Sequence, residues 1–162
     1  MNISVENEKK LVKEILLKIG VVENQADIIT EATLDSDLKG FTSHGLGRFP
    51  QYIRGINKGF IETDGDFEET ESIALINGHS LFGQYVAHQA MMLAIEKARK
   101  TGIAAVGTFN SNHFGVTGYY SDLAIKNGMV GVVLCNTEPG VAPLGGHTAI
   151  LGTNPVAIGI PA

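Results

Sequence analysis

One cysteine, Cys135, stands in 162 residues. That excludes an internal disulfide framework and suits a reducing compartment. No window comes near the roughly eighteen continuous apolar residues that a membrane span needs. The N-terminus opens on polar and charged residues rather than a basic stretch followed by an apolar one. The expectation is no signal peptide, no membrane and a cytoplasmic location. Lys and Arg number 12 against 17 Asp and Glu, for a net charge of −5. They form no basic stripe, so duplex nucleic acid is not an expected partner. No G-x-G-x-x-G and no Walker A lysine motif occurs, which speaks against a standard Rossmann site. The five histidines, His44, His79, His88, His113 and His147, make no H-x-x-x-H or H-E-x-x-H pair. Cys135 has no partner at ligand spacing, so no metal is expected. Internal repeats and low-complexity tracts are absent as well.

What is present reads as one globular unit: 44% apolar and 18% charged residues in a chain long enough to bury a core. The 20 glycines thicken from Gly102 onward, where small and β-branched residues gather. The first seventy or so residues hold most of the charge. That shift suggests a helical N-terminal region, 1–72, followed by a sheet-based region, 73–162.

Ser4 is placed to cap a first helix, with Leu11, Val12, Ile15, Leu16 and Ile19 at helical spacing and Gly20 as the stop. A second helix is expected from about Gln25 to Leu38, with Ile28, Ala32 and Leu38 inward. Next, Leu46, Phe49, Ile53 and Ile56 share one helical face. His44 and Arg48, four apart, share the opposite one, with Ser43 as the cap. Pro50 conflicts with this unless the helix kinks there or begins near Gly47. Further on, strands are expected at Ile73–Asn77, a buried one at Ile103–Phe109, and others at Met129–Leu134 and Ala157–Ile160. Helices are expected at about Gln84–Lys100 and Gly118–Lys126. The alternation indicates a βαβ unit.

Several segments carry chemistry. Asn110-Ser111-Asn112-His113-Phe114-Gly115 puts an imidazole in a polar turn after an apolar strand. A general acid/base for alcohol–ketone chemistry is presented in this way, and so is a turn histidine that bonds only backbone. Arg48, beside His44 and Ser43, suits two-pronged recognition of a carboxylate; a solvated helix-face arginine has the same signature. Asn136-Thr137-Glu138-Pro139-Gly140 and Gly152-Thr153-Asn154-Pro155 lie at strand ends, where ligands commonly bind and where plain turns also occur.

Taken in order, Ser43-His44-Gly45-x-x-Arg48, Gly83-Gln84, Asn110 through Gly115, Val141-Ala142-Pro143-x-Gly145-Gly146 and Gly152-Thr153-Asn154-Pro155 resemble the malate/L-lactate dehydrogenase family. That family also holds sulfolactate, ureidoglycolate and Δ1-piperideine-2-carboxylate oxidoreductases, and is distinct from the Rossmann-type lactate and malate dehydrogenases. The resemblance implies an α/β (mixed α+β) fold, with 73–162 as the first part of a non-Rossmann NAD(P)-binding domain. It implies hydride exchange between NAD or NADP and a small 2-hydroxy or 2-oxo carboxylic acid such as malate or lactate. His113 matches the proton donor/acceptor, while Ser43, His44 and Arg48 match the substrate pocket. Thr137, Thr153 and Asn154 match the cofactor side, and a homodimer is implied. Family members are longer, and the chain resembles their N-terminal half. An alternative expectation is therefore a truncated remnant or half-protein that folds or oligomerises without binding cofactor. A third, a histidine-based metallohydrolase, would require bound metal.

Overall fold

The computed structural model describes residues 3–65 and 73–162. The expected division after residue 72 falls at the edge of a segment outside the described residues. Helix α1 spans Val5–Lys18, and the Ser4 hydroxyl accepts the Asn7 N–H at its start. Glu6 and Glu8 in the first turn and Lys18 in the last complement the helix dipole. Val12 and Leu16, one turn apart, are the residues it buries.

Helix α2, Glu23–Leu38, packs against α1 and buries Ala26, Ile29, Ala32 and Leu34. Leu38, expected inward, is 68% exposed. It lies six residues beyond Ala32, about 240° around the helix, and so on another face. Surface pairs Lys9–Glu31 and Lys13–Asp27 link the two helices.

The next helix begins late. Leu46–Arg48 form a single 3-10 turn, and α3 runs Phe49–Asn57 with Pro50 in its first turn. A proline there sacrifices no hydrogen bond, because first-turn N–H groups have no intrahelical partner. Ser43 is therefore not the helix cap, and His44 lies ahead of the helix rather than one turn below Arg48 on it.

Strand β1, Ile73–Asn77, pairs in parallel with β2, Ala105–Phe109, from Ile73 opposite Ala105 to Asn77 opposite Phe109. The crossover is α4, Gly83–Thr101, which ends at Gly102 in the left-handed conformation, φ +83°. This is the expected βαβ unit. Helix α5, Thr117–Lys126, leads to β3, Gly131–Leu134, which pairs antiparallel with β4, Val156–Gly159. Helix α5 packs on both of these strands and on α4.

The strand from Ile103 is not buried as expected. Ile103 is 80% exposed, and four of the five β2 residues face solvent. Among the described residues each sheet has two strands, and most of their side chains are exposed or half-buried. Parallel strands are ordinarily covered on both sides. The larger apolar core joins α1, α2 and α3 to Ile76, Leu81, Phe82, Val86 and Ala90. It thus draws on both sides of residue 72. A smaller cluster gathers Tyr119 and Tyr120 against Ala32, Met91 and Phe114.

Candidate functional site

Strand β2 ends at Phe109, and Asn110 turns the chain with φ +50°. Its carbonyl accepts the Ser80 N–H at 2.8 Å. Two residues on, the Asn112 amide nitrogen lies 2.7 Å from the Ser80 carbonyl and 3.0 Å from that of Leu81. These bonds lay the turn across the start of α4. A β-carbon at Gly83 would stand 2.0 Å from the Asn112 carbonyl oxygen and 2.6 Å from that of His113. The approach requires glycine, which gives the Gly83-Gln84 pair a physical reason.

His113 is thereby set beside α3. Its Nδ1 lies 2.8 Å from the Tyr52 hydroxyl and 3.3 Å from the Gly115 N–H. Gln84 Nε2 donates to the same tyrosine oxygen at 2.7 Å. Both Tyr52 and Gln84 are buried, and Gln84 Oε1 is buried without a hydrogen-bond partner. Burial raises the Tyr52 hydroxyl to about 12, against the opposing influence of Gln84 and Arg48. Burial lowers the His113 imidazole to about 4, reinforced by the charges of Arg48 and His44. His113 is therefore neutral at neutral pH.

The loop before α3 supplies the other wall. The His44 ring centre lies 5.3 Å from that of His113, and the Ser43 hydroxyl is 2.9 Å from His44 Nδ1. Burial first, then Arg48, lowers the His44 imidazole. Asp37, near the end of α2, fastens this loop by accepting the Leu46 N–H at 2.6 Å. Its carboxylate occupies the space where a β-carbon on Gly45 would be, 1.9 Å away. The Arg48 Nε is buried without a partner. A permanent guanidinium beside two neutral imidazoles attracts anions and stands among hydrogen-bonding groups that can exchange a proton.

Ser43, His44, Arg48 and His113 thus lie together. Thr137, Thr153 and Asn154 form a second group between β3 and β4. Asn154 Oδ1 accepts the Thr137 N–H at 3.0 Å, Thr137 Oγ1 accepts the Thr153 N–H at 2.8 Å, and the two threonine hydroxyls are 3.2 Å apart. All three residues are exposed. Among the described residues no hydrogen bond joins the two groups, and no cluster of three or more His, Cys, Asp or Glu could hold a metal ion.

Sequence reasoning missed Tyr52 and Asp37, and saw Gln84 only as part of a motif. The Tyr52 ring is in the larger core. No signal in the letters placed its hydroxyl at His113.

Comparison with known proteins places this geometry. The family model for malate/L-lactate dehydrogenase matches residues 3–162. The L-sulfolactate dehydrogenase of Methanothermobacter thermautotrophicus is 62% identical over 99% of this chain and 48% of its own length. The malate/(S)-sulfolactate dehydrogenase of Methanothermus fervidus is 57% identical over the same shares, 99% and 48%. The solved structure of sulfolactate dehydrogenase from Methanocaldococcus jannaschii superposes with a TM-score of 0.92 at 50% identity, over 98% of this chain and 47% of that one. The chain spans about half the length of the curated relatives it matches.

Proposed function

The chain belongs to the malate/L-lactate dehydrogenase family, and from that membership we propose that it serves NAD(P)-dependent oxidoreduction of a small 2-hydroxy or 2-oxo acid. The observation that supports this reading most is the half-buried, neutral His113 held at Nδ1 and influenced by the Arg48 guanidinium. In this reading Arg48 binds the substrate carboxylate, using donors that have no protein partner at Nε. His44 and Ser43 line the same pocket and orient the carbon that reacts. His113 gives a proton to the substrate oxygen in reduction and takes it back in oxidation. Malate and sulfolactate, named for the relatives, are the first acids to test; lactate is the smaller comparison.

Thr137, Thr153 and Asn154 fit the amide and hydroxyl groups of a nicotinamide cofactor. Asn154 Oδ1 is committed to Thr137, which leaves its Nδ2 to donate outward beside two exposed hydroxyls. When bound, NAD or NADP supplies or accepts the hydride. We assign this chemistry to the region 73–162 and the helical wall to 1–72, in a cytoplasmic homodimer.

The test is titration of the chain with NADH and NADPH, followed by turnover with the 2-oxo acids of malate, sulfolactate and lactate. Turnover that His113→Ala abolishes with the fold retained is the expected result. Normal turnover in that variant would remove His113 from the mechanism. A folded chain that binds neither cofactor would favour the second reading, a polypeptide that assembles without cofactor, for which the bare apolar strands speak.

A further inference from the structure

The hydrogen bonds around His113 have a direction, and one backbone group determines it. The Gly115 N–H can only donate, and it points at His113 Nδ1 from 3.3 Å. A ring nitrogen that receives an N–H carries no proton of its own. The Tyr52 hydroxyl, 2.8 Å from the same nitrogen, then donates the principal bond to its one lone pair, which the longer Gly115 N–H shares. Its single proton is thereby used, so its oxygen must accept from the third member, and Gln84 meets that need with Nε2 at 2.7 Å. The opposite orientation of Gln84 would present Oε1 to an oxygen with no proton left to give. The relay therefore runs one way, from Gln84 to Tyr52 to His113, and the proton of the neutral ring stands on Nε2. Among the described residues nothing bonds to that Nε2.

We propose that Tyr52 and Gln84 are the positioning residues of this site: they hold the neutral His113 ring with its proton on Nε2, and Tyr52 stands behind that proton with its own. The inference rests on the reading of His113 as the group that exchanges a proton with substrate. A ring in this state meets substrate as a donor, which suits the carbonyl oxygen of a 2-oxo acid better than the hydroxyl of a 2-hydroxy acid. As the Nε2–H bond breaks and the proton passes to the substrate oxygen, Nδ1 forms a bond to the Tyr52 proton. Burial disfavours the phenolate left behind, and Gln84 Nε2–H and the charge of Arg48 offset part of that cost, so the charge on Tyr52 is transient. Once product leaves, Nε2 takes a proton from solvent and the Nδ1 proton returns to Tyr52, so each reduction consumes one solvent proton and leaves the site as it began.

Nitrogen NMR of the isotopically labelled chain reads the tautomer directly, without cofactor or turnover. At pH 7.5 the parent is expected to show His113 as the Nε2–H form in about tenfold excess or more, the equivalent of one well-formed hydrogen bond. Tyr52→Phe, which keeps the ring in the core, is expected to lower that excess about tenfold. It is also expected to move the titration of His113 upward, since a donor to the neutral ring is gone. Gln84→Leu, which leaves the Tyr52 hydroxyl in place, is expected to shift both in the same direction by less. It serves as the test if Tyr52→Phe does not fold. A parent ring protonated on Nδ1, or a ratio that neither variant moves, overturns the proposal. In turnover, Tyr52→Phe is expected to lower kcat with KM little changed and to alter the pH profile. An Nε2–H ring in a chain that reduces no 2-oxo acid supports this placement and sinks only the functional reading.

Discussion

His113 owes its low basicity to its surroundings, and that has a consequence for stability. Its folded value of about 4 lies below the ordinary 6.5 that the unfolded chain would show. Between these values the unfolded state binds more protons. Stability from this group is therefore complete above about pH 6.5 and is lost as pH falls toward 4. His44 and His88, both lowered chiefly by burial, act in the same direction. Thermal melts are expected to show a midpoint that falls from pH 7.5 to 4.5, and His113→Gln is expected to flatten part of that slope. An unchanged slope would mean that the imidazole is not desolvated. At this scale the sequence was half legible. A histidine in a polar turn after a strand can be seen in the letters. The hydroxyl of Tyr52 cannot, because a sequence is silent on where the far end of a tyrosine reaches.

Elements were more legible than side chains. Caps and periodicity located α1, α4 and α5 within a residue or two, because Ser4, Gly102 and the regular apolar positions are local signals. The start of α3 was displaced by Pro50, a residue whose cost depends on which turn it occupies. Strand positions were readable too, but their exposure was not: an apolar run reports what a strand can bury, and whether anything covers it depends on neighbours distant in the chain. The turn after β2 packs closely on the start of α4. Gly83→Ala would drive a methyl group into two backbone carbonyls that have no rotamer with which to yield. A loss of about 1–3 kcal/mol is expected from such overpacking. The same substitution is expected to disturb the resonances of Asn112 and His113 before those of β3 and β4. Denaturant melts and backbone NMR check both; a neutral substitution would mean that the turn stands farther from the helix.

Across the whole molecule, the bare strands dominate. Ile73, Leu75, Val132, Leu134, Val156 and Ile158 are all exposed, on two separate ribbons. Patches of this kind mark association surfaces. Light scattering is expected to show a mass that rises with concentration. Leu75→Lys with Ile158→Lys is expected to reduce it with little change in helicity, since neither side chain belongs to the packed core. A strictly monomeric parent would sink this expectation.

The socket of His113 has one more property, and it concerns time. Tyr52 and His44, whose side chains flank the ring, and Gln84 behind them all precede position 113, and the last backbone group to touch it is Gly115. During synthesis from the N-terminus, at roughly 5–20 residues per second, each of these groups has been joined to the chain several seconds before β4, Val156–Gly159, begins to be made. All the residues of that socket are present in the chain while the second sheet still lacks one of its two strands.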